Sequence, residues 1–235
     1  MRRLIALLAL ALTACDVAGP SRVAPPVGEA LPLEAGAAAK AFVEVVAAVE
    51  PVAGRECRRL APKGTRCDFL IAVNRDLRAP PNAFQSRTEA GQPVVTFTVA
   101  MIAQATNADE MAFVLGHEAA HHILGHLARQ AEYAAAGAAI FAGLAGATGA
   151  SPADIAEAEQ IGAIVGARRY SKEFELEADR LGTAISLRAG YDPVLGAAYF
   201  ARIPDPGNRF LGSHPPNAER MGVVTDTARR LGAGG

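Results

Sequence analysis

All five histidines of this 235-residue chain lie in two short stretches, and the first stretch has the spacing of a metal site. His117, Glu118 and His121 form an HExxH pattern. Residues four apart on a helix differ by about 40° around the axis and by about one turn along it, so the two imidazoles would face one point. Imidazole nitrogens in this arrangement can bind zinc. Glu118 lies about 100° round the helix from His117, where it could act as general base on a water molecule at that point.

HExxH alone also occurs on helices whose two histidines simply face solvent. The residues before the motif argue against that alternative, because Met111 to Leu115 are mostly apolar and indicate a buried helix. Two histidines in a buried helix are costly without a partner such as a metal. On a continuous helix His122 and His126 lie about 140° and 180° from His117. We therefore expect neither to be a metal ligand, and place them beside the ligands or at the surface.

A catalytic zinc site needs a third protein ligand and an open fourth position. Candidate acidic residues follow in the segment 173–179. Glu175 and Asp179 are four apart and share one helix face, whereas Glu173 and Glu177 share another face that we expect to be solvated. If Glu175 reaches the metal, Asp179 can hydrogen-bond a ligand histidine and fix its tautomer. Spacing alone does not choose between the two pairs.

The helix that must carry HExxH has a clear beginning. Asn107 can cap it, and Glu110 stands at the third helical position. We expect this helix to run from Ala108 to about Gln130.

Other elements are predicted around this helix. They are a helix over Leu33–Val49 stopped by Pro51, strands over Cys67–Val73 and Val94–Val99, a helix opening at Ser151-Pro152 that itself or through a successor ends near Gly190, a helix opening at Asp192-Pro193, and a last helix from Ser213 or Asn217. Residues 33–235 are therefore expected to form one mostly helical α+β domain with a small β-sheet.

The N-terminus has the character of a secretory signal over residues 1–14. Met1–Arg3 is basic, Leu4–Leu12 is a short apolar run, and the segment closes with Leu12-Thr13-Ala14-Cys15. These last four residues resemble a bacterial lipobox, which implies cleavage before Cys15 and acylation of its thiol. The lipid bilayer would then be a partner of the mature chain. The alternative is an ordinary signal followed by a coincidental cysteine.

The mature chain would begin with a tether in an oxidising compartment. Residues 15–32 are rich in Pro, Gly and Ala and are expected to be flexible. Asp16 resembles the signal that retains lipoproteins of enteric bacteria in the inner membrane, so the periplasmic face of that membrane is favoured. In that compartment Cys57 and Cys67 are expected to form a disulfide, and two separate buried thiols are the alternative.

Residues 133–150 carry no charge and are just numerous enough to span a bilayer. They are mostly Ala and Gly, which contribute little transfer free energy, and their four glycines disfavour a continuous helix. We expect tightly packed helical structure beside the site. A hairpin that dips into the membrane is the alternative.

The composition excludes two broad classes of protein. The chain is 51% hydrophobic and 20% charged, so it can bury a sizeable core and is not disordered throughout. Its formal net charge is -1 and only 6% of its residues are aromatic. No basic block is present, so nucleic acid is not an expected partner.

Several segments together resemble the family of zinc metallopeptidases that includes HtpX, BepA and the CAAX prenyl protease. The resemblance covers roughly residues 73–221. Gly116–His121 with His126 is similar to the first-helix motif of the family, and Glu175–Gly182 is similar to its ExxADxxG motif. Asn82-Ala83-Phe84 resembles the segment before its substrate-side strand. Ser213–Pro216 with Arg220 resembles its C-terminal His-Pro motif.

The resemblance implies a zincin-like metallopeptidase domain with one zinc ion per chain. It assigns the metal to His117, His121 and Glu175, with Asp179 behind a ligand histidine. One departure concerns residues 85–91, which replace the glycine-rich stretch usual in the family. The edge strand that would hold an extended substrate is therefore expected to differ in shape.

For two residues near the C-terminus, the sequence leaves more than one role possible. His214 is either a donor to the oxyanion of the reaction, or a removable fourth zinc ligand that keeps the enzyme latent, or a helix-start histidine packed beside Pro215. Arg220 either stabilises charge in the transition state or forms a salt bridge with an acidic residue, and the salt bridge is favoured.

These observations predict a membrane-tethered periplasmic zinc endopeptidase. Its expected substrates are misfolded or unassembled envelope proteins, with Glu118 as the general base. The alternative is a chaperone-like quality-control lipoprotein that does not cleave and whose zinc site is latent or structural.

Overall fold

The computed structural model describes residues 32–169, 171–207 and 214–232. The predicted signal, the acylated Cys15 and the tether up to residue 31 lie outside these residues. In chain order the elements are α1 (Ala35–Leu60), β1 (Leu70–Asn74), β2 (Ala83–Arg87), β3 (Pro93–Thr98), α2 (Val99–Gln104), α3 (Ala108–Ile123), α4 (His126–Ala147), α5 (Pro152–Arg169), α6 (Ser171–Arg188), α7 (Pro193–Ala197), a 3-10 helix (Ala198–Ala201) and α8 (Asn217–Gly232). Helices predominate beside one small sheet, which confirms the mostly helical α+β class.

Helix α1 is longer than the sequence predicts. Phe42, Val45 and Val49 are buried at helical spacing, as expected, but the helix continues through Pro51. A proline inside a helix removes the backbone hydrogen bond to the carbonyl four residues earlier. Ala47, which carries that carbonyl, and Pro51 are both exposed, so water can take the place of the missing donor. The prediction that Pro51 ends the helix is therefore wrong.

The three strands pair in the order β1–β3–β2, with β1 parallel and β2 antiparallel to β3. The central strand β3 buries Val95 and Phe97. Phe97 packs edge-on against Phe42 of α1, with ring centroids 5.0 Å apart. The strand predicted at Cys67–Val73 begins only at Leu70. Strand β2 is not predicted by its residue pattern, because its sequence, AFQSR, has no alternation of apolar and polar residues. Only the family resemblance carried by Asn82-Ala83-Phe84 pointed to a strand at this place.

Two glycines let α3 and α6 touch backbone to backbone. A Cβ atom added to Gly116 would lie 2.9 Å from the carbonyl oxygen of Gly182. A Cβ atom added to Gly182 would lie 2.8 Å from the backbone nitrogen of His117. These distances are too short for any side chain, so the close approach of the two helices requires glycine on both. The contact brings the HExxH motif and the acidic motif of α6 together.

The long helix predicted to carry HExxH is in fact two helices, α3 and α4. Helix α3 begins as predicted, because the side chain of Asn107 accepts a hydrogen bond of 2.9 Å from the backbone N–H of Glu110. It does not continue to Gln130. Gly125 has a φ of 67°, a left-handed conformation that glycine adopts without strain, and it ends the first helix. The chain therefore changes direction between HExxH and His126.

Helices α4 and α5 form an antiparallel pair that is packed even more closely than α3 and α6. A Cβ atom on Gly162 would lie 2.3 Å from the carbonyl oxygen of Gly137, and one on Gly166 would lie 2.0 Å from that of Tyr133. Three of the four glycines of 133–150 thus sit inside a continuous helix up to Ala147, contrary to the expectation that they would interrupt it, and Gly149 follows the end of this helix. Across the described residues, we find no helix with the length and apolar character needed to cross a membrane.

Candidate metal centre

His117 and His121 of α3 and Glu175 of α6 converge on one point. One ligand atom from each lies within 4.8 Å of the others. The two Nε2 atoms are 3.0 Å apart, and oxygens of Glu175 lie 3.6 Å from Nε2 of His117 and 3.4 Å from Nε2 of His121. A tetrahedral zinc ion with bonds of about 2.0–2.1 Å places its ligand atoms about 3.3 Å apart. The donor set and its spacing therefore fit one zinc ion.

The charges around this point favour a cation. Burial opposes a positive charge on His117, but hydrogen bonds with Asp179 and Glu175 outweigh burial and raise its pKa to about 10. Burial also opposes ionisation of Glu175, and its contacts with the histidines nevertheless hold its pKa well below the ordinary value. A buried pocket that stabilises positive charge in this way is suited to a divalent metal ion.

His117 is held from behind by a carboxylate and an arginine. Its Nδ1 lies 2.9 Å from Oδ1 of Asp179, which is fully buried. Arg220 donates two hydrogen bonds to the same carboxylate, from Nε over 2.8 Å and from Nη2 over 2.7 Å, and its guanidinium lies over the ring of Phe200 at 3.9 Å. Burial raises the pKa of Asp179, but the bonds from Arg220 and His117 hold it below its ordinary value. The salt bridge favoured for Arg220 is therefore present.

His121 is held by a different set of groups. Its Nδ1 lies 2.8 Å from Nδ1 of His126, whose Nε2 lies 3.0 Å from Oε2 of Glu177. Arg129 donates a hydrogen bond of 2.7 Å to the same oxygen. His126 lies beside a ligand histidine, which is one of its two expected places, but its predicted direction across the helix from His117 is wrong, because Gly125 turns the chain before it. Glu177 was expected to be solvated, but it is only partly exposed and takes part in this contact.

Helix periodicity places neither His126 nor Glu177 beside His121. The family resemblance associated His126 with the first-helix motif, and Gly125 offered a further signal. A glycine directly before a histidine, at the end of a helix, can mark a left-handed turn that returns the side chain toward the helix it leaves. Burial and the nearby His121 together lower the pKa of His126 to about 4, against the opposing effect of Glu177, so its ring is neutral at neutral pH.

Glu118 lies beside the metal point and lines a cleft of about 640 Å³. Burial raises the pKa of its carboxyl group, while His117 and His121 oppose this shift. A carboxylate whose pKa is raised toward neutrality is better matched to proton transfer than one at its ordinary value. The structure thus places Glu118 where the sequence predicts a general base.

His214 reaches the same centre from the segment before α8. Its Nδ1 lies 3.0 Å from Oε2 of Glu175, and half of its side chain is exposed. Pro215 is buried next to it. The last helix begins at Asn217, the second of the two predicted starts, so His214 precedes the helix and faces the metal ligand.

The cleft above the metal point is largely apolar. Strand β2 contributes Phe84 to it, α4 contributes Leu127, and the 3-10 helix and the residues after it contribute Tyr199, Phe200 and Ile203. Phe84 and Leu127 are also both substantially exposed to solvent. Strand β2 is at an edge of the sheet, and its residues Ala83, Phe84 and Gln85 line the cleft.

A partly buried ion pair, which the sequence does not reveal, connects the end of the 3-10 helix to the start of α3. Arg202 donates hydrogen bonds of 2.5 and 2.7 Å to the two oxygens of Glu110. Glu110 is fully buried and also accepts bonds from the backbone N–H and the hydroxyl of Thr106. The aromatic residues Tyr199 and Phe200 are therefore held relative to the helix that carries HExxH.

Cys57 and Cys67 are joined by a disulfide, with their Cα atoms 5.6 Å apart. The bond ties the last turn of α1 to the segment before β1. His122 of α3 donates a hydrogen bond of 2.7 Å from Nε2 to the carbonyl oxygen of Arg66 in this segment. His122 thus faces the disulfide loop rather than the metal.

A helix with HExxH, packed against a helix that offers a glutamate as a third candidate ligand beside a cleft, is the arrangement expected of a metallopeptidase. Comparison with known proteins agrees with this class. The model of peptidase family M48 matches residues 54–228, and the chain belongs to that family. Peptidases of this family depend on a metal ion, which is usually zinc.

One relative is a Vibrio cholerae protein named as a beta-barrel assembly-enhancing protease. It is 37% identical to this chain over 160 residues, which are 63% of the chain. The matched segment spans only 33% of the length of that relative, so the likeness covers about a third of it.

Proposed function

We propose that this chain is a zinc-dependent endopeptidase that cleaves misfolded or unassembled envelope proteins at the periplasmic face of a bacterial membrane. The observation that carries the proposal is the convergence of His117, His121 and Glu175 next to Glu118, in the wall of a cleft. A purely structural zinc site would have no use for a carboxylate base beside it. Family membership supports a metal-dependent peptidase, and the particular metal and bond are our proposal.

The residues divide the chemical work between them. His117, His121 and Glu175 would hold the zinc ion, which would polarise the peptide carbonyl and make a water molecule easier to deprotonate. Glu118 takes the proton from the attacking water and returns it to the leaving amine. Asp179 and Arg220 keep Nδ1 of His117 protonated, so that its Nε2 is free to bind the metal.

The shape of the cleft supports an unfolded substrate. An extended peptide could add to the edge of the sheet along β2, which brings it past Phe84 and toward Glu118. Apolar groups such as Tyr199 and Ile203 could then receive apolar side chains of the peptide. Folded proteins bury such side chains and do not offer extended segments, so misfolded chains are the better match.

Three features support the envelope location. The N-terminal residues resemble a lipoprotein signal ending at Cys15, and the pair Cys57–Cys67 forms a disulfide, which is typical of an oxidising compartment. The Vibrio cholerae relative carries a name that concerns beta-barrel assembly. We propose that acylated Cys15 holds the enzyme at the inner membrane, as Asp16 favours.

One contact favours the alternative function, a chaperone-like lipoprotein that does not cleave. His214 lies 3.0 Å from Glu175 and is half exposed, so its ring can approach the fourth position of the metal. In that arrangement the zinc site would be closed and latent.

The proposed function is tested with the full-length protein, purified in detergent and loaded with zinc. The substrate is a reduced, unfolded model protein. We expect the wild type to cleave it, Glu118→Gln to retain zinc without cleaving, and His117→Ala to lose zinc. Glu157→Gln, an exposed glutamate on α5, is the matched control and should cleave like the wild type.

Cleavage by Glu118→Gln at the wild-type rate would refute the role of this base. If the wild type holds zinc and does not cleave, the same assay on His214→Ala separates the alternatives. Activity gained by that variant identifies a latent peptidase, whereas continued inactivity favours the binding protein.

A further inference from the structure

The two histidine ligands are supported by different groups on their second nitrogen. His117 directs Nδ1 at the carboxylate of Asp179, 2.9 Å away. His121 instead directs Nδ1 at Nδ1 of another histidine, His126, 2.8 Å away. A carboxylate follows only after the ring of His126, because Glu177 lies 3.0 Å from Nε2 of that histidine.

His121, His126 and Glu177 form a hydrogen-bonded row, and metal binding by His121 allows only one arrangement of protons along it. His121 must present Nε2 to the metal without a proton, so its proton is on Nδ1 and is donated to His126. Nδ1 of His126 then accepts, which places the proton of His126 on Nε2. That proton is donated to Glu177. Each group therefore fixes the tautomer of the group before it.

The fold holds this row in place. His126 is the first residue of α4, is only 3% exposed, and stacks on Phe174 of α6 with ring centroids 4.5 Å apart. Arg129, one turn further along α4, donates a 2.7 Å hydrogen bond to Glu177 and lies 4.3 Å from the ring centre of Phe174. The left-handed turn at Gly125 makes the arrangement possible, because it brings the start of α4 back toward His121.

We propose that His126 is a positioning residue for the metal site, which together with Glu177 and Arg129 holds His121 in the tautomer and orientation that bind zinc. This inference rests on the proposed zinc site. His126 touches neither the metal nor the substrate, and it acts through His121. The first turn of α4 thereby becomes part of the metal centre, although His126 follows the end of the helix that carries HExxH.

The first experiment measures the zinc affinity of the full-length protein by competition with a chromophoric chelator. His126→Ala should lower the affinity by roughly 10- to 100-fold, the usual effect of removing a group that orients a metal ligand. His126→Gln should restore most of the affinity, because its amide can accept from His121 and donate to Glu177. Glu177→Gln should cause a smaller loss than His126→Ala.

Two matched variants separate positioning from general damage to the fold. His122→Ala removes another buried histidine of the same region, which bonds to the carbonyl of Arg66 and not to a ligand. It is expected to reduce stability and to leave the zinc affinity unchanged. Glu173→Gln changes an exposed glutamate of α6 and is the control for Glu177→Gln.

The second experiment reads the proton on His121 directly. In the cobalt(II)-loaded protein, the Nδ1 protons of both ligand histidines should give strongly shifted proton NMR signals that disappear in D₂O. In His126→Ala the proton of His121 loses its acceptor, so one of the two signals should vanish by fast exchange with water. The signal of His117 should remain, because Asp179 still holds it.

Each experiment has a result that would overturn the inference. The inference is overturned if His126→Ala binds zinc within about twofold of the wild type, if His122→Ala weakens zinc binding as much, or if both cobalt-shifted signals persist. If His126→Ala does not fold, Glu177→Gln provides the loss of zinc affinity, and the inference is overturned if Glu177→Gln binds zinc like the wild type. A wild-type protein that binds no zinc would instead refute the proposed metal function itself.

Discussion

Replacing Gly182 with alanine should force apart the two helices that carry the metal ligands. The added methyl group would lie 2.8 Å from the backbone nitrogen of His117 and 2.9 Å from its Cα. Ordinary contacts begin at 3.4 Å, so α3 and α6 must separate by about 0.6 Å, the difference between 3.4 and 2.8 Å. Both atoms belong to the backbone of α3. No side-chain rotation can therefore relieve the clash.

The size of the effect follows from two opposing terms. Overpacking of a tight contact costs about 1–3 kcal/mol, and alanine gains about 0.5–1 kcal/mol over glycine inside a helix. We expect a net loss of about 1–2 kcal/mol in the free energy of unfolding. His117 and Glu175 lie on the two helices, 3.6 Å apart. A further separation takes them away from the spacing of about 3.3 Å that tetrahedral zinc requires, so zinc affinity should also fall.

The assay combines urea unfolding of the metal-free protein with zinc competition. Gly143→Ala is the matched control, because Gly143 also lies inside a helix and a Cβ atom there meets nothing within 4 Å. This control should gain about 0.5–1 kcal/mol and keep its zinc affinity. If Gly182→Ala is as stable as Gly143→Ala and binds zinc like the wild type, the close helix contact is not what positions the site.

Three more predictions concern groups that support the centre. Arg220→Ala leaves the buried Asp179 without its main partner and should lower stability by about 3–5 kcal/mol at neutral pH. Because the folded-state pKa of Asp179 is below its ordinary value, the wild type loses this contribution as the pH falls, and the deficit of the variant should shrink below about pH 4. Urea unfolding across pH checks this, with the exposed Arg229→Ala as control, and a deficit that grows in acid would contradict it. Replacing Cys57 and Cys67 together by serine should lower stability by about 2–3 kcal/mol for so short a loop; an unchanged urea midpoint would count against the disulfide. Arg202→Gln breaks the ion pair with Glu110 and loosens Tyr199 and Phe200 at the cleft. In steady-state kinetics, KM for an unfolded substrate should therefore rise more than kcat falls. The reverse pattern would refute the supporting role of this pair.

Much of the helical structure could be predicted, because the signals for it are local. The side chain of Asn107 marks the start of α3, and Ser151 with Pro152 marks the start of α5. The buried positions Phe42, Val45 and Val49 follow the helical repeat of α1. These features depend only on residues within a turn or two, so one sequence is sufficient to find them.

The predictions about the fold fail where contacts with distant parts of the chain determine the local structure. Strand β2 forms by pairing with β3, although its own residues show no strand pattern. Helix α1 passes Pro51, since the lost hydrogen bond is at a solvated surface and the residues beyond it, such as Val52 and Cys57, are buried in the core. In both cases tertiary packing outweighs local preference.

The sequence by itself determined that His117 and His121 share a helix face with Glu118 beside them, because the helical repeat sets the directions of residues four apart. It narrowed the candidates for a third metal ligand to two acidic pairs, and resemblance to a family pointed to Glu175. Only the tertiary structure decided how that ligand reaches the histidines, because the approach of α3 and α6 depends on two glycines that are far apart in the chain.

The tertiary structure likewise decided which groups support the two histidines from the side away from the metal point. His126 faces His121 because Gly125 adopts a left-handed conformation, and Arg220 reaches Asp179 from a helix 41 residues further along the chain. A helical repeat gives the direction of a side chain only while the helix continues. Beyond its end, the position of a partner depends on packing between elements, which local spacing does not encode.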